Sequence, residues 1–242
     1  MRRVYVGTCG FVETRARLFR DFEVLEVQQT FYQPPRLEIA CRWRQEAPQA
    51  FKFTLKAWQL ITHSARSPTY RRLRERLSPE QLACCGGFKL NSLTRWAWQR
   101  TVEIAEALRA DAVVCQTPPS FHPEPVNLER MEKFFREVPR GTWKIVFEPR
   151  GTGWDEKRLK PLLEALNLVH GTDPFLAPSL GEDFHYFRLH GRPAYAYNYR
   201  YSDEDLVQLK QSLPAQGTIF VLFNNTTMAA DARRFKALLQ AG

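Results

Sequence analysis

Eight short apolar runs alternate along the chain with stretches of helical periodicity, and this alternation limits the fold more than any other feature of the sequence. The runs cover residues 4–8, 24–30, 51–57, 112–116, 144–148, 166–170, 185–190 and 218–224. Their lengths suit strands, and strands separated by helices imply βα units and a parallel sheet. Helices are expected at 36–47, 69–77, 93–109, 127–137, 156–165, 203–212 and 228–240. In the third of these, Trp98, Val102, Ala105 and Leu108 recur at helical spacing. Ser202, Asp203 and Asp155 supply hydroxyl or acidic groups where first turns leave backbone N–H groups unpaired. Eight such units in 242 residues give a single TIM-type (β/α)8 barrel with a parallel closed sheet, and one domain over 1–242 is expected.

Most of the runs end in a polar cluster, and barrels of this kind gather ligand-binding groups at the C-terminal ends of their strands. Alternation sharpens the point. Glu26 shares parity with Val24 and Gln28, Lys56 with Thr54, Glu148 with Val146 and Arg150, and His190 with Arg188. The polar set then points into the lumen, while Leu25, Val27, Phe53, Leu55, Phe147 and Leu189 pack beneath helices. Charges in a lumen are costly unless they are paired or meet solvent at the mouth. They therefore read either as a functional site or as an internal salt-bridge network.

The net charge is +9 and arginine greatly outnumbers lysine. Such a balance favours anionic partners, with nucleic acid and phosphorylated small molecules the leading classes. The chain begins with the strand Val4, Tyr5, Val6 rather than a cleavable apolar segment, and no apolar run approaches bilayer length, so a cytoplasmic protein without a membrane partner is expected. Five cysteines without paired C-x-x-C spacing read as reduced thiols.

The polar clusters are also distinctive as a series. Gly7-Thr8-Cys9-Gly10-Phe11, Glu26-Val27-Gln28-Gln29-Thr30-Phe31-Tyr32, Phe51 to Lys56 with Ile61-Thr62-His63, and Gln116-Thr117-Pro118-Pro119-Ser120-Phe121 come first. Phe147-Glu148-Pro149-Arg150, Arg188-Leu189-His190-Gly191-Arg192 and Phe223-Asn224-Asn225 follow. Together they resemble the YecE-like family, number 72 of the domains of unknown function, in order over nearly the whole chain. The resemblance implies a barrel related in shape to metal-dependent apurinic endonucleases and sugar isomerases, and it supplies no activity. Family members usually follow the strand-five Glu-Phe-Arg with His-Pro-x-Trp, whereas here Pro149 replaces the aromatic and Gly151-Thr152-Gly153 precedes Trp154.

Three chemistries compete for these residues. Glu26, Glu148 and His190 are the candidate catalytic groups, and with His63 they could also ligate a divalent metal, which would suit a metal-dependent, phosphodiesterase-like hydrolase. Phosphate binding draws on Lys56, Arg150, Arg188 and Arg192 at strand ends and on Arg66, Arg71, Arg72, Arg74 and Arg76 after the third strand. The alternative for this last group is an ordinary solvated helix in which Arg71 pairs with Glu75 one turn on. Tyr195, Tyr197, Tyr199 and Tyr201 alternate strictly, and an extended segment would present them as one stacking row, with Tyr32 and Trp154 adding to the wall. Gly7 would allow close backbone approach, and Gln116, Asn224 and Asn225 offer neutral polar contacts. The leading expectation is a mouth that binds a phosphate-bearing ligand, above all nucleic acid. A small-molecule enzyme acting on a sugar or sugar phosphate, isomerase-like in chemistry, and a non-catalytic binding module are the alternatives. Glycine-rich phosphate fingerprints, nucleophile elbows and dinucleotide motifs are absent from the sequence.

Overall fold

Strands arise where β-branched and aromatic residues cluster, because their side chains pack well on a pleated surface. The computed structural model of the protein describes residues 1–241. Its strands are β1 (Arg2–Cys9), β2 (Val24–Val27), β3 (Lys52–Lys56), β4 (Ala112–Gln116), β5 (Lys144–Glu148), β6 (Val169–Thr172), β7 (Phe184–Leu189) and β8 (Gly217–Phe223), and they form a closed parallel barrel in chain order. The expected TIM-type barrel is therefore the observed fold. The helices between them are α1 (Arg15–Asp21), α2 (Gln29–Tyr32), α3 (Leu37–Glu46), α4 (Gln59–Thr62), α5 (Pro79–Ala83), α6 (Ser92–Leu108), α7 (Pro125–Glu137), α8 (Glu156–Leu166), α9 (Asp203–Ser212) and α10 (Met228–Gln240). None is long and apolar enough among the described residues to cross a membrane, and all five cysteines are free thiols.

Three departures from the expected elements have a local reason. The second strand stops at Val27 rather than running to residue 30, because Gln28 turns into the α region and the Thr30 hydroxyl donates to the Lys56 carbonyl at 2.7 Å. The sixth strand starts at Val169 rather than 166, because Asn167 caps α8 in the left-handed conformation. The expected helix at 69–77 is instead a 3-10 turn, Pro68–Arg72, followed by extended chain. Leu73 is extended, and the Gln33 side-chain oxygen accepts from the backbone N–H groups of both Arg74 and Glu75, at 3.1 and 3.2 Å. Amides held in this way cannot continue a helix.

The chain divides into two compact units. One comprises Met1–Val27, Glu46–Phe53 and the chain from Val169 onward. Here β1 pairs β8 from Arg2↔Gly217 to Thr8↔Phe223, and Tyr5 stacks on Phe220, which also meets Phe184 and Tyr186. Gly7 is forced by packing: a Cβ there would lie 1.8 Å from the Val24 carbonyl oxygen of the neighbouring strand. The other unit comprises Gln28–Gln45 and Thr54–Leu168. Its core centres on fully buried Phe88, whose ring lies 5.1–6.3 Å from those of Phe121, Phe134, Phe135 and Phe147. α6 supplies Trp98 to the same cluster and is started by an Asn91–Thr94 capping box.

Candidate functional site

In the first unit the strand-end charges are paired inside the protein. Glu26, at the end of β2, accepts from Arg188 Nε and Nη2 on β7, both at 2.9 Å, and from the Tyr186 hydroxyl at 2.8 Å. Both members of this two-pronged pair are 0% exposed. Tyr186 and Arg188 are two residues apart on β7, so their side chains fall on the same side of the strand. The two charges compensate each other within the barrel, and the geometry suits a structural clamp better than a proton-transfer group.

Beyond the end of β7, the backbone N–H of buried His190 donates to Asp173 Oδ2 at 3.1 Å, and the imidazole sits 4.0 Å from the same oxygen. Tyr195 and Tyr197 flank this ring with centroids 5.6 and 5.8 Å away and keep 38% and 43% exposure. The expected row of four tyrosines is not formed. Residues 191–201 turn instead of extending, with Gly191 and Tyr195 at positive φ. Tyr199 turns to donate to Asp205 at 2.6 Å, and buried Tyr201 accepts from the Gly191 N–H at 2.8 Å. Arg192 is committed to Asp205 at 2.5 Å and lies over the Phe175 ring. Asn225 is buried and donates to the Tyr199 carbonyl and to Asp231, both at 2.7 Å, whereas Asn224 is half-buried.

In the second unit, Lys56 at the end of β3 donates to Gln116 Oε1 at 2.9 Å and stands 3.9 Å above the Phe31 ring. Glu148, at the end of β5, accepts from Arg150 Nε at 2.8 Å, and this pair is also largely buried. His63 bonds Thr62 through Nδ1 at 2.8 Å and packs edge-on to Phe31. Burial, with Lys56 and Arg150 nearby, pushes its pKa down to about 3, so the ring is neutral at ordinary pH. Trp154 is a wall residue: its Nε1 donates to the Phe121 carbonyl and its ring stacks on Phe121. Among the described residues no group of three or more His, Cys, Asp or Glu side chains is placed to hold a metal ion.

A cleft of about 820 Å3 lies in the same unit, built from the segments that follow β2 and β3. Arg36, Arg71, Arg72 and Arg74 line it with Tyr32, Gln29 and Gln33, and Pro34, Pro35, Ile39 and Leu73 complete its walls. No acidic residue lines it. Among the described residues no ion pair joins any of its four arginines to a carboxylate, including the expected Arg71–Glu75 pair, which needed the helix that does not form. The walls are braced from behind: the Tyr32 carbonyl accepts from Trp58 Nε1 at 3.3 Å and from Gln59 Nε2 at 3.0 Å. Of the residues singled out from sequence, only Tyr32 and the three arginines 71, 72 and 74 come together here. Arg66 does not line the cleft, and Arg76 lines a separate pocket with Glu75 and Glu80. Arg36 and Gln33 escaped the sequence reading, although the Pro34-Pro35 pair between the expected second strand and the next helix is a signal that the chain turns there.

These features define an α/β barrel of TIM type with a cationic cleft on its strand-end loops. The chain belongs to the DUF72 family, described as a protein of unknown function, which matches residues 11–242. A crystal structure of a DUF72 family protein from Enterococcus faecalis V583 is similar over 99% of this chain and 98% of that one, with a TM-score of 0.71 and 19% identity. SacUVDE is similar over 99% and 97%, with a TM-score of 0.62 and 8% identity. D-psicose 3-epimerase, solved in the presence of D-fructose, is similar over 96% and 93%, with a TM-score of 0.59 and 10% identity. At these identities the likenesses speak for the fold alone. Comparison with curated proteins finds no match.

Proposed function

We propose that the protein binds a phosphate-bearing ligand, nucleic acid in the first place, at the arginine cleft of its second unit. The observation that carries this reading is the lining itself: four arginines, no acid, and no described ion pair that would neutralise them. Planar guanidinium groups suit phosphate oxygens, and a concentration of like charge in one cleft attracts a polyanion. The volume is within the range of ordinary ligand sites. The strand-end arginines, first candidates from sequence, are weaker ones, since Arg150, Arg188 and Arg192 are each engaged by a carboxylate.

The test is fluorescence anisotropy of labelled oligonucleotides across a salt series. Affinity that falls steeply with salt, and falls again in Arg71→Ala and Arg74→Ala, is expected. Affinity indifferent to both salt and these substitutions would sink the reading. Gel analysis of the same mixtures separates binding from phosphodiester hydrolysis: strands recovered intact describe a binding module, and shortened strands an enzyme. A sugar-directed reading draws on the barrel shared with D-psicose 3-epimerase. Displacement of the oligonucleotide by a sugar phosphate at comparable concentration would favour it.

A further inference from the structure

Arg72 differs from its three neighbours in the cleft. Its guanidinium carbon lies 3.5 Å from the centroid of the Tyr32 ring, which is the thickness of two stacked π layers, so the group lies flat on the ring. The side chain is exposed, and it lines the cleft. One face of the guanidinium is therefore covered by Tyr32, and in an exposed, cleft-lining side chain the other face is left open for stacking. The Tyr32 backbone is held through its carbonyl by Trp58 and Gln59, its ring packs edge-on against buried Phe31 with centroids 5.0 Å apart, and the chain just beyond Arg72 is held by Gln33 through the amides of Arg74 and Glu75. The platform is built before any ligand arrives.

The same cleft carries Pro34, Pro35, Ile39 and Leu73 among its arginines. A duplex stacks its bases on one another and offers phosphates and sugars to such a wall. A single strand offers phosphates together with the apolar faces of unstacked bases.

From this arrangement we infer that the cleft takes single-stranded nucleic acid, with one base stacked on the outer face of Arg72 and the flanking phosphates on Arg36, Arg71 and Arg74. The inference rests on the phosphate-binding reading above and adds to it the strandedness of the ligand and a division of labour among the arginines.

The experiment compares three labelled probes in the full-length protein: a short oligothymidylate, the abasic strand of equal length, and a duplex of equal length. The oligothymidylate is expected to bind more tightly than either of the others. Arg72→Lys keeps the charge and removes the flat surface. It should weaken oligothymidylate binding by about fivefold or more, the lower end of what one stacked base contributes, and leave the abasic strand unchanged. Arg74→Ala should weaken both single strands alike and reduce the salt dependence. Urea unfolding of both variants checks that each is folded, as expected for exposed side chains. Equal affinity for all three probes, or an Arg72→Lys variant that weakens the abasic strand as much as the oligothymidylate, would overturn the stacking inference and leave the phosphate reading standing. Binding of every probe untouched by either substitution would overturn both.

Discussion

Arg188 and Arg72 are the same residue type in opposite circumstances. In the first compact unit, Arg188 sits on a strand, has no exposure, and meets Glu26 through two nitrogens. In the second, Arg72 and its neighbours stand exposed on a segment that the Gln33 side chain keeps from becoming a helix, and no described carboxylate pairs with them. Backbone placement accounts for the contrast. A strand position facing inward forces a guanidinium to find a carboxylate, because a buried uncompensated charge is not tolerated. A braced loop carries no such requirement and leaves the charge available to a ligand. Charge in a barrel sequence is thus a poor guide to function until its partners are known.

The contrast is broken most directly at Glu26. Glu26→Gln leaves Arg188 charged in a sealed site, and the expected loss is about 3–5 kcal/mol, read from urea unfolding at neutral pH. A loss under about 1 kcal/mol would mean that the pair is not the clamp described, since that is the range of exposed pairs.

His63 tests the buried charges of the second unit. Its pKa in the folded protein, about 3, lies below the ordinary histidine value of 6.5, so the unfolded chain binds the extra proton through that interval. Stability contributed by the neutral ring is present above pH 6.5 and is lost as the pH falls towards 3. Unfolding at pH 5 against pH 7 should show a loss on the order of 2 kcal/mol, absent from His63→Gln. A wild-type profile flat over that interval would show that burial, with Lys56 and Arg150 nearby, does not hold the ring neutral as its position implies.

Arg192 is an intermediate case, half-exposed and paired with Asp205 while lying over Phe175. Removing it with Arg192→Ala should cost about 1 kcal/mol or less, the ordinary value for a screened pair. A loss as large as that of Glu26→Gln would erase the distinction between lumen and surface pairs.

Much of the frame was legible in the sequence because it depends on short-range pattern. The fourth and fifth strands and the helices α9 and α10 fall where apolar periodicity and end signals put them. The inward parity of Arg188 and Glu26 was legible for the same reason, but their mutual pairing and the Tyr186 hydroxyl bond were not, since these depend on register between strands distant in the chain. The cleft was hidden by a long-range effect. Residues 69–77 carry a helical pattern, and only the Gln33 side chain, some forty residues earlier, withdraws the amides that a helix would need. The tyrosine row failed likewise: the backbone turns at Gly191 and Tyr195, the Tyr199 and Tyr201 hydroxyls find partners in Asp205 and the Gly191 N–H, and their two rings meet edge to face rather than side by side.

The smallest effect on stability is expected where the effect on binding is greatest. Combined replacement of Arg36, Arg71 and Arg74 by Ala removes three exposed side chains that pair with no described carboxylate, so the unfolding free energy should stay within about 0.5 kcal/mol of the parent for each site. Relief of repulsion between neighbouring guanidinium groups could even raise it slightly. The slope of log affinity against log salt for a single strand should fall by about 0.7 for each arginine that meets a phosphate. A variant that unfolds early would show these arginines to be structural after all, like an arginine held in a buried pair. A variant that is stable and still binds with its full salt dependence would place the phosphate contacts elsewhere on this basic protein. Stability preserved with the salt dependence lost is the result that separates an arginine held for the fold from one held for a ligand.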